Sequence, residues 1–417
     1  MTTRALTLWW GARSVGTLSV DAHGEMGFAY LPAWLARSDV RAISVSLPLR
    51  EEPYSRRECL PFFEGILPEE SQRVNVAAAL GVSEHNEFRL LEMLGGEVAG
   101  ALALWPEGEE PPALEGPFTP KPLSDKELRV LIDSLPKRPM LAGEEGLRLS
   151  LAGAQAKLPV ILTPDGIALP APGQPTTHIL KPPITRFEGT TENEAYGMRL
   201  AHLIGLDVAE VDIHRAEGLP FLLVRRYDRV RGEDGVVTRK HQEDFCQALG
   251  FTSARKYASD GGPVFRDLFT LLRRVATRPA IEVLKLFDAA IFNLIIGNAD
   301  AHGKNYSLLY DGSTTLAPLY DLLSTVAYPE LSPRLTMKIA KRAALEDIQA
   351  RDWARFAEET GLTEPYIRRR VKALCGMVLE QARNVAAGFD LETEERKAMS
   401  GVEGLVSGRA ESLLGRV

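Results

Sequence analysis

The stretch from Asn298 to Asp321 constrains this chain most, because it places three oxygen-bearing side chains at set spacings after an apolar, helix-like run. Asp300 stands five residues before Asn305. Asp321 follows after two short apolar stretches that predict a hairpin. The chain must therefore fold so that a buried helix leads into a polar loop and a hairpin brings a second acid back to it.

The spacing D-x-x-x-x-N with a later acid is typical of kinase catalytic loops, where it supplies a base and two metal ligands. Asp300 is the candidate base, which would orient an acceptor hydroxyl and accept its proton. Asn305 and Asp321 are candidate Mg²⁺ ligands, because Mg²⁺ is a hard cation that takes oxygen ligands. The alternatives are an Asx turn at Asp300 and a helix N-cap at Asp321 for residues 322–324. The three residues together favour the catalytic interpretation.

Two further side chains with polar tips lie inside this loop. His302 is predicted to orient the loop as a hydrogen-bond donor rather than to shuttle a proton. Lys304 has two interpretations: its ammonium steadies a transferred phosphate, or it is solvated.

Lys181 ends a short apolar strand, where a lysine is unusual unless its charge is paired. In kinases a strand lysine holds the nucleotide phosphates and pairs with a glutamate on a helix. Glu192 and Glu194 head the next predicted helix, and Glu194 is the preferred partner. A surface lysine that snorkels to water is the alternative.

Residues 150–157 are the candidate loop over the phosphates. Gly153 is its only glycine, so both G-x-G-x-x-G and the Walker A pattern G-x-x-x-x-G-K-[ST] are absent. The small residues Ala152, Gly153 and Ala154 nevertheless allow backbone amides to approach a phosphate closely.

The bulk composition is that of an ordinary globular protein of two or three domains. The chain has 417 residues, a net charge of −7 and three widely spaced cysteines, which favours a reducing compartment over a disulfide framework. A broad nucleic-acid surface is usually basic, so any such contact should be local or made through a partner. No signal-peptide pattern and no apolar run of about 20 residues is present, so we expect a cytoplasmic protein without a membrane span.

Predicted elements divide the chain into four parts. A small α/β unit comes first, a linker rich in proline separates it from a β-rich region, and a mostly helical region follows. In order, these parts are residues 1–104, 105–123, 124–232 and 233–417.

Local patterns add five expectations. Residues 42–47 alternate in polarity and predict a strand, and Ser124 opens a helix through a capping box. Arginines within residues 225–231 are predicted to form a charged strand edge and turn. Residues 242–249 are predicted to be helical, and the chain after Glu392 is predicted to be a short helix or a frayed tail.

In combination, these motifs resemble the HipA family, the serine/threonine-protein kinase toxins of bacterial type II toxin–antitoxin modules. The resemblance spans nearly the whole chain, and its specificity lies in the combination of motifs. The matching segments are residues 47–49, 62–68, 150–157, 178–182, 192–194, 226–229, 241–247, 259–263, 298–305 and 320–324.

The resemblance implies an α+β, protein-kinase-like two-lobed fold, with a β-rich N-lobe, a helical C-lobe and an extra N-terminal α/β subdomain. It implies ATP and Mg²⁺ as cofactors and the phosphorylation of a protein serine or threonine. In the family's motif, Asp300 is the base, and Asn305 and Asp321 hold the metal ion. Lys181 matches the phosphate-holding lysine, and Lys304 completes the expected catalytic set.

The resemblance also implies how the nucleotide is held. Adenine would rest against the backbone near Arg225 and Tyr227. Arg225 stands where the family usually has an acid, so a backbone contact survives there but a side-chain role does not. The other residues expected to contact the nucleotide are Ala152, Gly153, Ala154, Gln155, Lys157, Lys181 and His302.

Ser150 matches the serine that members of the family autophosphorylate. A phosphate there adds roughly −1.5 to −2 units of charge beside a loop that must hold the ATP phosphates. Repulsion should eject the loop and switch the kinase off.

Characterised members of the family act on aminoacyl-tRNA synthetases, notably the glutamyl enzyme, so that translation stops, growth arrests and cells persist. They pair with a HipB-like DNA-binding antitoxin. The resemblance therefore implies a protein substrate of this type, a HipB-like antitoxin as partner, and DNA contact mainly through that antitoxin. The net charge of −7 agrees with DNA contact being delegated.

Two other functions remain open from the sequence. A small-molecule phosphotransferase would share the acid–amide loop. A non-catalytic nucleotide-binding or repressor subunit would belong to a different class, and the presence of Asp300, Asn305, Asp321 and Lys181 argues against it.

Overall fold

A computed structural model describes residues 4–112, 120–144 and 146–417 of the chain. The architecture is α+β and two-lobed, with an additional N-terminal α/β subdomain, as predicted. Three hydrophobic cores adjoin one another: one in the N-terminal subdomain, one beneath the N-lobe sheet and a larger one among the C-lobe helices. Part of the predicted proline-rich linker, residues 113–119, lies outside the described residues.

The N-terminal subdomain is a four-stranded antiparallel sheet covered by helices. Its strands lie in the order β3-β2-β1-β4, and residues that alternate along β1, such as Leu6 and Leu8, are fully buried. The elements are β1 (Arg4–Trp10), β2 (Arg13–Val20), β3 (Met26–Tyr30), α1 (Pro32–Leu35), α2 (Arg56–Glu64), α3 (Glu70–Leu80), α4 (Glu87–Leu94) and β4 (Leu102–Pro106).

The strand predicted at residues 42–47 is wrong. The segment makes only an isolated bridge between Ser44 and Leu47. Its polar backbone groups find side-chain partners instead of a neighbouring strand: the Tyr30 hydroxyl donates to the Leu47 carbonyl and accepts from the Ile43 amide.

The N-lobe carries a five-stranded antiparallel sheet in the order β6-β5-β7-β9-β8. Before it comes α5, whose capping box between Ser124 and Glu127 is as predicted. The elements are α5 (Asp125–Ser134), β5 (Leu158–Thr163), β6 (Gly166–Ala168), β7 (His178–Lys181), α6 (Thr190–Leu203), β8 (Val211–Ala216) and β9 (Leu219–Arg225).

The C-lobe is mainly helical, with two small antiparallel sheets near its junction with the N-lobe. Residues 242–249 are only partly helical, because residues up to Asp244 pair with β13 before Asp244 caps α7. The elements that follow β9 along the chain are β10 (Arg229–Arg231), β11 (Val237–Arg239), β12 (His241–Asp244), α7 (Phe245–Leu249), α8 (Phe265–Val275), α9 (Pro279–Ile296), β13 (Ser307–Tyr310), β14 (Thr314–Leu316), α10 (Asp352–Thr360), α11 (Glu364–Gln381) and α12 (Thr393–Leu414).

Helix α9 is the axis of the C-lobe and leads into the polar loop. Most of its second half is buried, and Gly297 ends it in a left-handed conformation at φ 76°, which a glycine adopts at low cost. The loop therefore starts at a defined point, at the end of a long and largely buried helix.

The terminal segment is not a frayed tail. It forms the 22-residue helix α12, which packs against α6, α9 and α11 through buried residues such as Val406 and Leu413. Arg409 donates hydrogen bonds to the carbonyls of Leu294 (2.9 Å) and Ile295 (3.1 Å) and so satisfies carbonyl groups at the end of α9. The last helix of the chain thus supports the start of the polar loop.

The arginines predicted to lie on a strand edge are in part buried at the junction of the N-terminal subdomain and the N-lobe. Arg226 and Arg229 are 3% and 5% exposed, and both contact Glu97 of the N-terminal subdomain. Their charges are neutralised by Glu97 and Asp228, and this pairing compensates for the cost of removing the arginine charges from water. Among the described residues, no helix is long and apolar enough to cross a bilayer.

Candidate active site

One cleft of about 600 Å³ lies between the N-lobe sheet and the C-lobe, and the N-terminal subdomain forms part of its wall. All the predicted site residues except Ser150 line it. They are Ala152, Gly153, Ala154, Gln155, Lys157, Lys181, Glu194, Arg225, Tyr227, Asp300, His302, Lys304, Asn305 and Asp321.

Lys181 connects the N-lobe to the C-lobe inside the cleft. Its Nζ atom lies 2.6 Å from Oε1 of Glu194 on α6, and it also pairs with the carboxylate of Asp321. Its side chain is 7% exposed, so the snorkelling alternative is wrong. Strand β7 sets this position because its register holds Lys181 opposite Leu222 in the middle of the sheet.

Charge pairing decides the ionisation of this group of side chains. Burial works against the charge of Lys181, but Asp321 and Glu194 outweigh burial and raise the pKa of the ammonium. Burial likewise opposes the ionised form of Asp321, yet Lys181 and Lys157 lower its pKa to about 2. Burial raises the pKa of Glu194, with Lys181 opposing it. Asp321 is therefore the carboxylate that stays ionised most firmly.

The polar loop is tied to Asp321 by a residue to which the sequence assigned no role. The Nδ2 atom of Asn298 donates to Oδ1 of Asn293 on α9 (2.9 Å) and to the Asp321 carbonyl (3.0 Å). Asp321 itself has a left-handed backbone, with φ 55°, which is uncommon for an aspartate. Residues 322–324 form no helix, so the N-cap interpretation of Asp321 is wrong.

Asp300 faces the open part of the cleft. Its side chain is exposed at the surface but crowded by the surrounding walls, and this partial burial raises the pKa of its carboxyl group. The charge of Lys256 opposes that rise, and the Tyr257 hydroxyl interacts with the carboxylate. The result is a carboxylate that binds a proton more readily than an ordinary aspartate.

Asn305 and His302 are held together inside the loop. The Asn305 Oδ1 atom accepts a hydrogen bond from the His302 amide at 3.0 Å, which fixes the amide side chain. The His302 ring packs edge-on against Tyr257 at a centroid distance of 5.1 Å, and burial lowers its pKa to about 3. A neutral imidazole agrees with an orienting role, which stays a prediction.

The loop at residues 150–157 folds back on its own lysine. Lys157 donates from Nζ to the Ala152 carbonyl at 2.8 Å, and burial lowers its pKa. Gly153 has φ 111°, and a Cβ atom there would lie 2.5 Å from that same Nζ atom. Gly153 is thus required by its backbone angle, and a side chain there would also displace the Lys157 ammonium.

Ser150 is the first residue of this loop and does not line the cleft. It is fully buried, and its Oγ atom donates to the Ile66 carbonyl of the N-terminal subdomain at 2.9 Å. The Ser150 amide donates to the Glu97 carbonyl at 2.9 Å. The loop therefore starts from a segment that the N-terminal subdomain holds.

Lys304 points toward Asp244 and the N-terminal subdomain. Its Nζ atom lies 2.7 Å from Oδ2 of Asp244 and 3.3 Å from the Gly65 carbonyl, and the residue is 8% exposed. The solvated alternative is therefore wrong. A direct role toward a phosphate stays a prediction.

Arg225 and Tyr227 stand on the chain that leaves β9. Arg225 is exposed and pairs with Glu210 at 2.8 Å. Tyr227 stacks with Tyr320 at a centroid distance of 6.2 Å and donates its hydroxyl hydrogen bond to Gln242. The Arg225 side chain is therefore engaged with Glu210, and a contact of adenine with the backbone at this point stays a prediction.

Comparison with known protein families matches both halves of the chain. The family described as HipA N-terminal domain matches residues 6–105, and the family described as HipA-like C-terminal domain matches residues 149–383.

Two relatives match over most of their length. Y4mE of Sinorhizobium fredii, whose name classes it provisionally as a kinase, is 59% identical over 389 residues, which cover 92% of each chain. The serine/threonine-protein kinase toxin HipA of Shewanella oneidensis is 32% identical over 375 residues, which cover 86% of this chain and 84% of that protein.

A solved structure shares the fold. In the Shewanella oneidensis complex of HipA, HipB and operator DNA, one chain superposes with a TM-score of 0.86 at 29% identity. The match covers 98% of this chain and 97% of that one. The N-terminal subdomain and both lobes are thus included in the likeness.

Proposed function

The chain belongs to the HipA family, and from this membership we propose that it is a serine/threonine protein kinase that uses ATP and Mg²⁺. The observation that carries the proposal is the meeting of Lys181, Asp321 and Asp300 in one cleft, with Glu194 holding the lysine from α6. Phosphoryl transfer depends mainly on positioning and charge stabilisation, which these groups can provide.

In the proposed reaction, Asp300 is the base. It orients the acceptor hydroxyl and takes its proton, and a raised pKa makes its carboxylate a better acceptor than an ordinary aspartate. Lys181 and Lys157, both buried cations at the phosphate end of the cleft, hold the nucleotide phosphates. The small residues around Gly153 bring backbone amides to the same phosphates.

The donor atoms available suit Mg²⁺. Asn305 supplies an amide oxygen, and Asp321 supplies a carboxylate whose pKa of about 2 keeps it ionised at neutral pH. Magnesium bound there would neutralise charge on the phosphates. No group of three or more His, Cys, Asp or Glu side chains that could hold a metal ion by itself occurs in residues 4–112, 120–144 and 146–417. Substrate oxygens and water would complete the ligand set, as is usual for Mg²⁺.

The proposed regulation uses Ser150. A phosphate cannot be added to a fully buried hydroxyl that donates to Ile66 unless the segment first leaves the N-terminal subdomain. Once added, its charge would repel the ATP phosphates and keep the loop released.

The proposed partner is a HipB-like antitoxin, through which most DNA contact would be made. Support comes from the likeness of the whole chain to HipA in a complex with HipB and operator DNA. The proposed substrate is a component of translation, such as an aminoacyl-tRNA synthetase of the glutamyl type. The proposed location of the protein is the cytoplasm, and the proposed outcome is growth arrest. We also propose the division into a subdomain at residues 1–104, a linker at 105–123, an N-lobe at 124–232 and a C-lobe at 233–417.

Phosphate transfer from γ-labelled ATP tests the kinase proposal. We expect Asp300→Asn to lower the rate about 100-fold or more, because general-base catalysis typically contributes 10²–10⁴-fold. Asp311→Asn is the matched control, since Asp311 is an exposed aspartate in the following hairpin turn and pairs only with Lys240 among the described residues. Equal activity of wild type and Asp300→Asn would contradict the assignment of the base.

A labelled-ATP incubation with a cell lysate separates the proposal from its alternatives. Labelled protein bands support a protein kinase, whereas label confined to metabolites indicates a small-molecule phosphotransferase. ATP binding without any transfer indicates a non-catalytic subunit. Growth inhibition on expression without an antitoxin, abolished by Asp300→Asn, supports the toxin function.

A further inference from the structure

The segment from Gly65 to Glu70 belongs to the N-terminal subdomain and forms part of the cleft wall. It lies between the loop at residues 150–157 and the catalytic loop at residues 298–305. The Glu69 amide donates to the Gly153 carbonyl at 3.2 Å, and Pro68 forms a bridge with the same glycine. The segment therefore touches the loop over the phosphates on one side. It also touches the catalytic loop of the C-lobe, because Lys304 donates from Nζ to the Gly65 carbonyl at 3.3 Å.

Glu69 places a buried carboxylate between two buried lysines of the C-lobe. The residue is 4% exposed. Its Oε2 atom lies 2.8 Å from Nζ of Lys256, and its Oε1 atom lies 3.4 Å from Nζ of Lys304. Burial opposes the charge of Glu69, but Lys304 and Lys256 outweigh burial and lower its pKa to about 2. The carboxylate therefore stays ionised and holds both cations.

Both lysines are connected directly to groups of the proposed reaction. Lys304 precedes the proposed ligand Asn305, and its carbonyl accepts a hydrogen bond from the Tyr320 hydroxyl at 2.7 Å. Lys256 acts through its charge on Asp300, and the adjacent Tyr257 interacts with the same carboxylate. A change at Glu69 would therefore act on the proposed base through Lys256 and on the proposed metal site through Lys304.

We propose that Glu69 is a positioning residue of the phosphoryl transfer, by which the N-terminal subdomain completes the active site. Its carboxylate holds the ammonium groups of Lys256, near Asp300, and of Lys304, within the catalytic loop. Its backbone amide holds Gly153 in the loop proposed to cover the phosphates. The proposal rests on the proposed kinase function. It makes the N-terminal subdomain part of the catalytic apparatus rather than an accessory that only binds partners.

Steady-state kinetics of the full chain test this role. Glu69→Gln should lower kcat about 10-fold to 100-fold, the scale of a small misplacement of reacting groups. The KM for ATP should stay within about twofold, because Lys181 and Lys157 do not contact Glu69 directly. Glu69→Asp, which keeps the charge, should recover part of kcat.

A matched control separates positioning from general stability. Glu64→Gln makes the same chemical change five residues earlier in the same subdomain, and it breaks a partly buried pair with Arg73 at 3.0 Å. Glu64→Gln should keep kcat within about twofold of wild type. An equal loss of kcat in Glu64→Gln and Glu69→Gln would overturn the proposal, as would an unchanged kcat in Glu69→Gln.

A double-mutant cycle identifies the route of the effect. If Glu69 acts through Lys256, the double variant Glu69→Gln with Lys256→Met should lose no more kcat than the worse single variant. Losses that multiply would contradict the route through Lys256. If Glu69→Gln fails to fold, Lys256→Met alone carries the test, with a lowered kcat and an unchanged KM for ATP expected.

Hydrogen exchange keeps this inference separate from the proposed function. A wild-type protein that transfers no phosphate would refute the kinase proposal. In that case, faster amide exchange across residues 298–306 in Glu69→Gln than in Glu64→Gln still supports positioning of the loop, and equal exchange overturns it.

Discussion

Glu97 and Glu69 are both buried carboxylates of the N-terminal subdomain, and each neutralises cations that belong to the rest of the chain. Glu97 meets three arginines, whose nitrogen atoms lie between 2.7 and 3.1 Å from its oxygens. Glu69 meets two lysines at 2.8 and 3.4 Å, and its Oε1 atom accepts no hydrogen bond among the described residues. Both oxygens of the Glu97 carboxylate accept hydrogen bonds, whereas only one oxygen of the Glu69 carboxylate does so among the described residues.

This difference separates a docking contact from a functional one. An arginine presents a rigid planar fork that fixes both partners, whereas a lysine is a point charge on a flexible stem. Glu97 therefore locks the N-terminal subdomain to Arg226, Arg229 and Arg239. Glu69 sits beside two buried ammonium groups at the catalytic loop, where a small displacement would change the charge around the proposed base.

The largest effect on stability should come from Glu97→Gln. It leaves buried arginines short of their counter-charge, and breaking a buried ion pair by removing one partner costs about 3–5 kcal/mol. Chemical denaturation should show this loss in the free energy of unfolding. Glu69→Gln should cost less, because Lys304 keeps Asp244 and Lys256 keeps Glu70.

For kcat, the two variants should rank in the opposite order, with the larger loss in Glu69→Gln. At a temperature where Glu97→Gln remains folded, its kcat should stay closer to wild type than that of Glu69→Gln. If both variants lose kcat in proportion to their stability, the distinction between docking and positioning is wrong.

A third carboxylate at the same boundary gives a pH-dependent effect of intermediate size. Glu243 is hydrogen-bonded by neutral donors, the Val45 amide at 2.9 Å and the Ser44 and Tyr310 hydroxyls. Burial raises its pKa from 4.5 to about 7, so the folded state holds the proton more tightly than the unfolded state. The free energy of unfolding should therefore fall as pH rises from about 4.5 to 7.

Denaturation at a series of pH values checks this slope. Glu243→Gln cannot ionise, so its contribution to the slope should disappear. Glu233→Gln, at an exposed position between β10 and β11, is the control and should leave the slope unchanged. A slope that is the same in all three proteins would show that Glu243 titrates alike in the folded and unfolded states.

The smallest effect should come from Arg225→Ala, which breaks an exposed pair with Glu210. Exposed ion pairs contribute less than about 1 kcal/mol, so the free energy of unfolding should change little. The KM for ATP should stay within about twofold if adenine contacts the backbone at this point. A larger rise in KM would give the Arg225 side chain a role in nucleotide binding.

Much of the fold could be predicted because its signals are local. The capping box at Ser124, the strand that ends at Lys181 and the apolar run before Gly297 each depend on neighbouring residues only. The strand at residues 42–47 was predicted wrongly because alternation also occurs where side chains, not a strand, satisfy the backbone. The terminal helix was underestimated because its stability depends on packing against α9.

The residues of the candidate site were proposed from spacing and from a family resemblance, and all of them except Ser150 line one cleft. The residues that support them were missed. Asn298 and Glu69 act through partners that are distant in the chain, and no local pattern marks an asparagine or a glutamate that will be buried. Glu70, the residue after Glu69, has a strained backbone with φ 48°, which only the three-dimensional structure shows.

The sequence by itself, through its motifs and their resemblance to the HipA family, indicated the family, the two-lobed α+β fold and the groups proposed for phosphoryl transfer, because these signals do not depend on which distant residues come into contact. Only the tertiary structure decided that Ser150 is buried, that Lys304 points to the N-terminal subdomain, and that Glu69 reaches the catalytic loop. The physical reason is that burial and charge pairing depend on contacts between residues far apart in the chain, and in the protein interior these contacts set the ionisation and position of each side chain.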